Sequence, residues 1–132
     1  MRENNISVVI NRAIEDVFLF TITPSNTSSW IPSIEREETD EWPVKIGSRY
    51  KSVGKDGHWS EYVVTDIQTN RIFELVSKDG NYHVRYTYSA LTPSQTQLEY
   101  FEWMNTGDLK DPFEQIVLDN LKNALEMKWM DT

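Results

Sequence analysis

Between Ser33 and Met104 the sequence alternates short runs of β-prone residues with brief separators, the longest a connection over Asp40 to Gly47 that carries Trp42, Pro43 and Gly47, and this spacing limits the topology more than any other feature. Candidate strands cover residues 34–39, 49–53, 59–67, 72–77, 82–91 and 97–104. Turn-forming residues fill 54–57, 68–70, 78–81 and 92–94, and Asp79-Gly80 is the sharpest hairpin signal. Parallel neighbours need a crossover of a dozen or more residues, which separators this short cannot supply, so the predicted sheet is an antiparallel meander.

The flanks change period. Ile6 to Ile10 is a β-branched run between Asn5 and Asn11 and reads as a first strand. Residues 14–22 carry Ile14, Val17, Phe18 and Phe20 at helical steps, with Glu15 and Asp16 in the first turn. Pro24 or Ser25 starts a second brief helical turn that ends near Trp30. At the other end, residues 111–130 read as one amphipathic helix, capped by Asp111 with Pro112 at its first position. Its predicted apolar stripe is Phe113, Ile116, Val117, Leu121, Ala124 and Leu125, with Asn120 a polar interruption that needs a hydrogen-bond partner. The 132 residues therefore make one α+β domain, residues 1–132, with two short helices after the first strand and a long C-terminal helix.

Strand periodicity assigns faces. Tyr82, Val84, Tyr86, Tyr88 and Ala90 share one side of their strand and belong inside, while His83 on the other side is expected to meet solvent. In 97–104 the inward set is read as Leu98, Tyr100, Glu102 and Met104, although Phe101 and Trp103 make the opposite face aromatic too and a one-residue bulge exchanges them. Tyrosines that face a helix bury rings yet keep hydroxyls in need of partners, which points to a cavity as readily as to a packed core.

Charge and composition exclude several functions. Thirteen Lys and Arg against 21 Asp and Glu leave a net charge of −8 with no basic cluster, so neither nucleic acid nor an anionic membrane surface is an expected partner. With no cysteine there is no disulfide, thiol nucleophile or thiolate metal site. His58 and His83 lie on different strands without metal-ligand spacing, and the glycines of 54–57 and 78–80 lack the pattern of a phosphate loop. No metal or cofactor is expected. The polar start, residues 1–5, has no signal-peptide core and no segment is a membrane span, so a cytoplasmic location is the expectation.

Several pieces in order resemble a known family. Residues 10–18 (INRAIEDVF) look like the first strand and helix start of the START/Bet v 1-like helix-grip (SRPBCC) superfamily, in particular its polyketide cyclase/dehydrase-like branch. Trp30-Ile31-Pro32, residues 44–50 (VKIGSRY), Leu91-Thr92-Pro93 with Thr96 and Leu98, and residues 121–126 (LKNALE) are similar to later landmarks of that family. Arg12-Ala13 departs from it, since the family often has alanine-proline there. The resemblance implies a curved antiparallel sheet wrapped around the long helix, with a cavity between them for an apolar, lipid- or polyketide-like ligand.

On that reading Trp30 and Trp59 form the pocket rim, Tyr62, Tyr86, Tyr88 and Tyr100 hold the ligand beneath the helix with Phe113, Val117 and Leu121, and Asn120 orients it. Glu102 is the weak catalytic candidate, because burial would suit a carboxyl beside Tyr100 to proton transfer; its competing reading is an exposed strand acid. Two alternatives stand beside the binder, which is read as a monomer or homodimer. One is a cyclase- or dehydrase-type enzyme using Glu102, a tyrosine or a histidine. The other is an interaction module like the Hsp90 ATPase activator relatives of the superfamily. Trp129 is read as a capping or dimer contact.

Overall fold

The structure, a computed structural model, describes residues 1–130, with side chains through Met127. Trp129, expected as a capping or dimer contact, lies outside the described side chains. The chain runs β1 (Glu3–Ile10), α1 (Ile14–Ile22), a 3₁₀ helix (Pro24–Ser29), β2 (Ile34–Thr39), β3 (Arg49–Gly54), β4 (Trp59–Gln68), β5 (Ile72–Ser77), β6 (Tyr82–Thr92), β7 (Gln95–Met104) and α2 (Gln115–Met130). All strands join one curled antiparallel sheet in the order β1-β7-β6-β5-β4-β3-β2. The meander from β2 to β7 follows from the short separators. Gly80 takes φ +80° in the β5–β6 turn, where Asp79 accepts hydrogen bonds from the Ser77 hydroxyl and the Asn81 amide.

Only β1 leaves sequence order. It pairs with β7 from Glu3 opposite Trp103 to Ile10 opposite Thr96, so the first strand lies beside the last. As the end strand it keeps a row of outward carbonyls, and α2 covers part of that row. Gln115 Nε2 donates to the Ser7 carbonyl and Lys122 Nζ to the Val9 carbonyl, each at 2.9 Å, and the Asn11 amide donates to Glu126. Arg12 adds a bond from its guanidinium to the Leu125 carbonyl at 2.7 Å.

The helix begins later than its sequence suggests. Asp111 and Pro112 do not start it, because the Phe113 amide is drawn to the Glu102 carboxylate on β7 (2.7 Å), which holds this segment against the sheet until Gln115. The stripe is also rotated. Leu118, Leu121 and Leu125 are buried, whereas Ile116 is 58% exposed. At about 100° per residue Ile116 lies roughly 140° around the axis from Leu121, while Leu118 lies only about 60° away, so once Leu121 faces the sheet Leu118 must follow and Ile116 cannot.

On β6, Val84, Tyr86 and Tyr88 are buried, but Ala90, expected inside, is exposed beyond the core where the strand bulges before Thr92. On β7, Leu98, Tyr100 and Glu102 are buried and face inward. Two more bulges break the regular alternation, one between Ile34 and Arg36 on β2 and one between Val64 and Asp66 on β4. The core joins these inner faces to Val17, Phe18 and Phe20 of α1 and to Trp30 and Ile31 after the 3₁₀ helix.

Candidate functional site

A cavity of about 600 Å³ opens between the inner sheet face and the segments that cross its end. Leu75, Val84, Tyr86 and Tyr100 form the floor, with Tyr62 and Tyr82 beside them. Ile31, Ile34 and Phe113 supply an apolar wall. The rim is polar: Lys55, Asp56 and His58 come from the β3–β4 turn, and Asp111 from the stretch before α2.

Its position differs from the expected one. The predicted space lay beneath the C-terminal helix, but Leu118, Leu121 and Leu125 of α2 pack into the solid core, and only the pre-helical Asp111 and Phe113 reach the cavity. The void is bounded instead by residues of β2 to β7 and lies ahead of the first turn of α2.

The expected site residues divide accordingly. Tyr62, Tyr86, Tyr100 and Phe113 come together on the cavity wall. Tyr100 and Phe113 stack with ring centroids 4.4 Å apart, and Tyr86 meets Tyr100 edge-on at 5.3 Å. Trp30 is 2% exposed and sits behind this wall, edge-on to Tyr86 and Phe113, with its indole N–H lacking a partner among the described residues. Tyr88 lies deeper. Thr21 gives its hydroxyl proton to the Phe18 carbonyl, so the Tyr88 hydroxyl donates to Thr21 and fastens α1 to the sheet.

The remaining candidates stand elsewhere. Val117 and Leu121 belong to the packed face of α2. Asn120 donates to the Trp30 carbonyl at 3.4 Å, which satisfies its amide away from the cavity. Trp59 is 45% exposed and lines a separate outer groove with Glu38, Lys51 and Lys78, where the Arg36 guanidinium lies 5.4 Å from its ring centroid. His83, expected in solvent, is half-buried on the outer face, stacked on Trp103 at 4.7 Å.

Glu102 is neither an exposed strand acid nor a free catalytic group. It is 1% exposed and both oxygens are engaged: Oε1 accepts from the Tyr82 hydroxyl (2.7 Å), and Oε2 from Asn4 Nδ2 (2.9 Å) and the Phe113 amide (2.7 Å). The carboxylate thereby ties β1, β6 and the pre-helical segment together. Because Tyr82 spends its proton on Glu102, the contact between the Tyr82 and Tyr100 hydroxyls (3.3 Å) requires Tyr100 to donate. The Tyr100 oxygen is left with acceptor capacity only. Burial, then the Glu102 charge, raises the Tyr82 phenol well above its ordinary range.

The acid that does enter the cavity is Glu37 on β2, which sequence reasoning missed. Its Oε1 accepts a hydrogen bond from Thr27 Oγ1 at 2.7 Å. Burial pushes the carboxyl up to about 7 against the smaller opposing effect of that bond. Its charge is felt by three tyrosines: after burial, it adds to the rise of the Tyr50, Tyr62 and Tyr86 phenols. Tyr50 spends its hydroxyl on the Ile22 carbonyl (2.6 Å), whereas the Tyr86 hydroxyl has no protein partner among the described residues. In a regular strand Ile34 and Glu37, three residues apart, would face opposite ways; the bulge after Ile34 puts both in the cavity. Nothing in the run IEREET signals that bulge.

Among the described residues no group of three His, Cys, Asp or Glu side chains is placed to hold a metal, and no helix is long and apolar enough to cross a membrane. No protein-family model and no curated protein matches the sequence. Solved structures do match. Protein MLL2253 from Mesorhizobium loti has a TM-score of 0.76 and 14% identity, over 96% of this chain and 98% of that one. A START superfamily protein from Mycobacterium smegmatis has a TM-score of 0.71 and 14% identity over 99% of each chain. An AHSA1-like protein from Aeromonas hydrophila has a TM-score of 0.67 and 19% identity, over 96% of this chain and 95% of that one. With the curled seven-stranded sheet and the C-terminal helix laid along it, these matches show that the chain has the START/Bet v 1-like helix-grip fold.

Proposed function

We propose that this protein binds one small, largely apolar molecule in the cavity walled by Tyr62, Leu75, Val84, Tyr86, Tyr100 and Phe113. The observation that carries this reading is the cavity itself. At about 600 Å³ it lies within the range of small-molecule pockets, and its apolar walls converge on a few polar groups, as such pockets do. Trp30 buttresses the wall, while Tyr88, Asn120, Val117 and Leu121 hold the frame around it.

The cyclase- or dehydrase-type alternative, as assigned to Glu102, Tyr100 and His83, gains no support: Glu102 is engaged at both oxygens and His83 stands on the outer face. No surface observation favours the interaction-module reading.

The test is a titration with a neutral, environment-sensitive aromatic dye such as 1-aminoanthracene. Saturable binding to one site is expected, weakened in Val84→Trp and Leu75→Trp, each of which fills the floor. Absence of saturable binding to the unaltered protein, or full affinity in both variants while their circular dichroism stays native, overturns the reading.

A further inference from the structure

We infer that the ligand of this cavity carries an amine, its ammonium group set against Glu37 and its apolar body against the tyrosine floor. The inference rests on the binding role proposed above and names the chemical class of the ligand.

Three observations carry it. First, Glu37 is an acid without a base: its one hydrogen bond comes from the neutral Thr27, and among the described residues no lysine or arginine pairs with it. The cation on the cavity lining, Lys55, belongs to the exposed β3–β4 turn at the rim, with Asp56 beside it. Glu37 is half-buried at the cavity wall, and a carboxylate drawn out of bulk water is stabilised by an opposite charge. The fold supplies none, so an incoming ammonium is the group that completes the site.

Second, the neighbouring polar atoms suit a donor. The Tyr100 hydroxyl donates its hydrogen bond to Tyr82, which leaves its oxygen able only to accept, and the Tyr86 hydroxyl makes no hydrogen bond within the described residues. Tyr62 and Tyr86 also line the cavity, and aromatic rings are groups that attract cations. Burial keeps the Tyr86 and Tyr100 phenols protonated and uncharged, so Glu37 is the acidic group on the inner wall, with Asp56 and Asp111 at the exposed rim. Third, the net charge of −8 draws cations toward the molecule and disfavours an anionic amphiphile such as a fatty acid.

The experiment uses three matched probes: 2-(1-naphthyl)ethylamine, the corresponding alcohol, and 1-naphthylacetic acid. Each is titrated calorimetrically into the full chain at about pH 8, where both the carboxyl and the ammonium are charged. The amine is expected to bind about tenfold or more tightly than the alcohol, and the acid more weakly than either. In Glu37→Gln the ratio of amine to alcohol affinity should fall to near one. Equal or tighter binding of the alcohol or the acid by the unaltered protein overturns the inference, and so does an unchanged ratio in folded Glu37→Gln. The first comparison needs no variant, so a folding failure cannot rescue the idea. Dye binding without amine preference sinks this inference alone, whereas failure of the dye sinks the binding role as well.

Discussion

Glu37 is held where its charge is costly, and that has a measurable signature. Its carboxyl titrates near 7 in the folded protein against about 4.5 when unfolded. Between those values the folded state holds more protons than the unfolded one, so stability falls as pH rises through this window. Tyr50, Tyr62 and Tyr86, which share its surroundings, are pushed upward and do not titrate there. Glu37→Gln removes the buried charge and keeps an acceptor for Thr27. It should therefore be more stable than the unaltered protein by about 1–3 kcal/mol at about pH 8, with the gap closing near pH 4.5. Urea unfolding at the two pH values checks this; a stability difference that does not change between them would show that the carboxylate is well solvated. The residue was not legible because its direction depends on a bulge, which is a property of how β2 meets β3 and leaves no mark in a run of alternating charges. Tyr86 and Tyr100 were legible, since both lie on strands whose period holds through the core.

Elements were easier to read than side-chain roles, and the start of α2 explains why. Asp111-Pro112 has good helix-starting chemistry, and local propensity puts α2 there. The carboxylate of Glu102 overrides it by taking the Phe113 amide, a bond between positions separated by a loop that no local pattern contains. The same residue holds Tyr82 and Asn4. Glu102→Ala leaves three donors at a buried point without their acceptor, and a loss of roughly 2–4 kcal/mol is expected, measured by chemical denaturation. Because Phe113 is also cavity wall, the dye affinity of a folded Glu102→Ala protein should fall with it. Wild-type stability in this variant would remove the carboxylate's structural role. The strands, by contrast, end where turn residues sit, and six of the seven were placed by punctuation alone. The stripe of α2 was blurred because Ile116, Val117 and Leu118 are consecutive apolar residues, and only the packing decides which two of the three turn inward.

At the scale of the molecule, the ordered set of family-like pieces pointed to the arrangement of sheet and helix, and the solved structures bear out the fold. The cavity's position was not legible, since it depends on how far along the sheet α2 lies. Pairing Glu3 with Trp103 closes a loop over about three-quarters of the chain, and sheets dominated by such distant partners fold slowly. Refolding in milliseconds to seconds is expected in a stopped-flow measurement of tryptophan fluorescence, and sub-millisecond folding would contradict a rate limited by such distant pairings. That same closure has a further consequence. The outer rim of β1 is occupied by the side chains of Gln115 and Lys122 rather than by another strand. The helix thus shields this edge, which would otherwise be a template for a second molecule's strand, and the buried Leu118, Leu121 and Leu125 keep the shield in place.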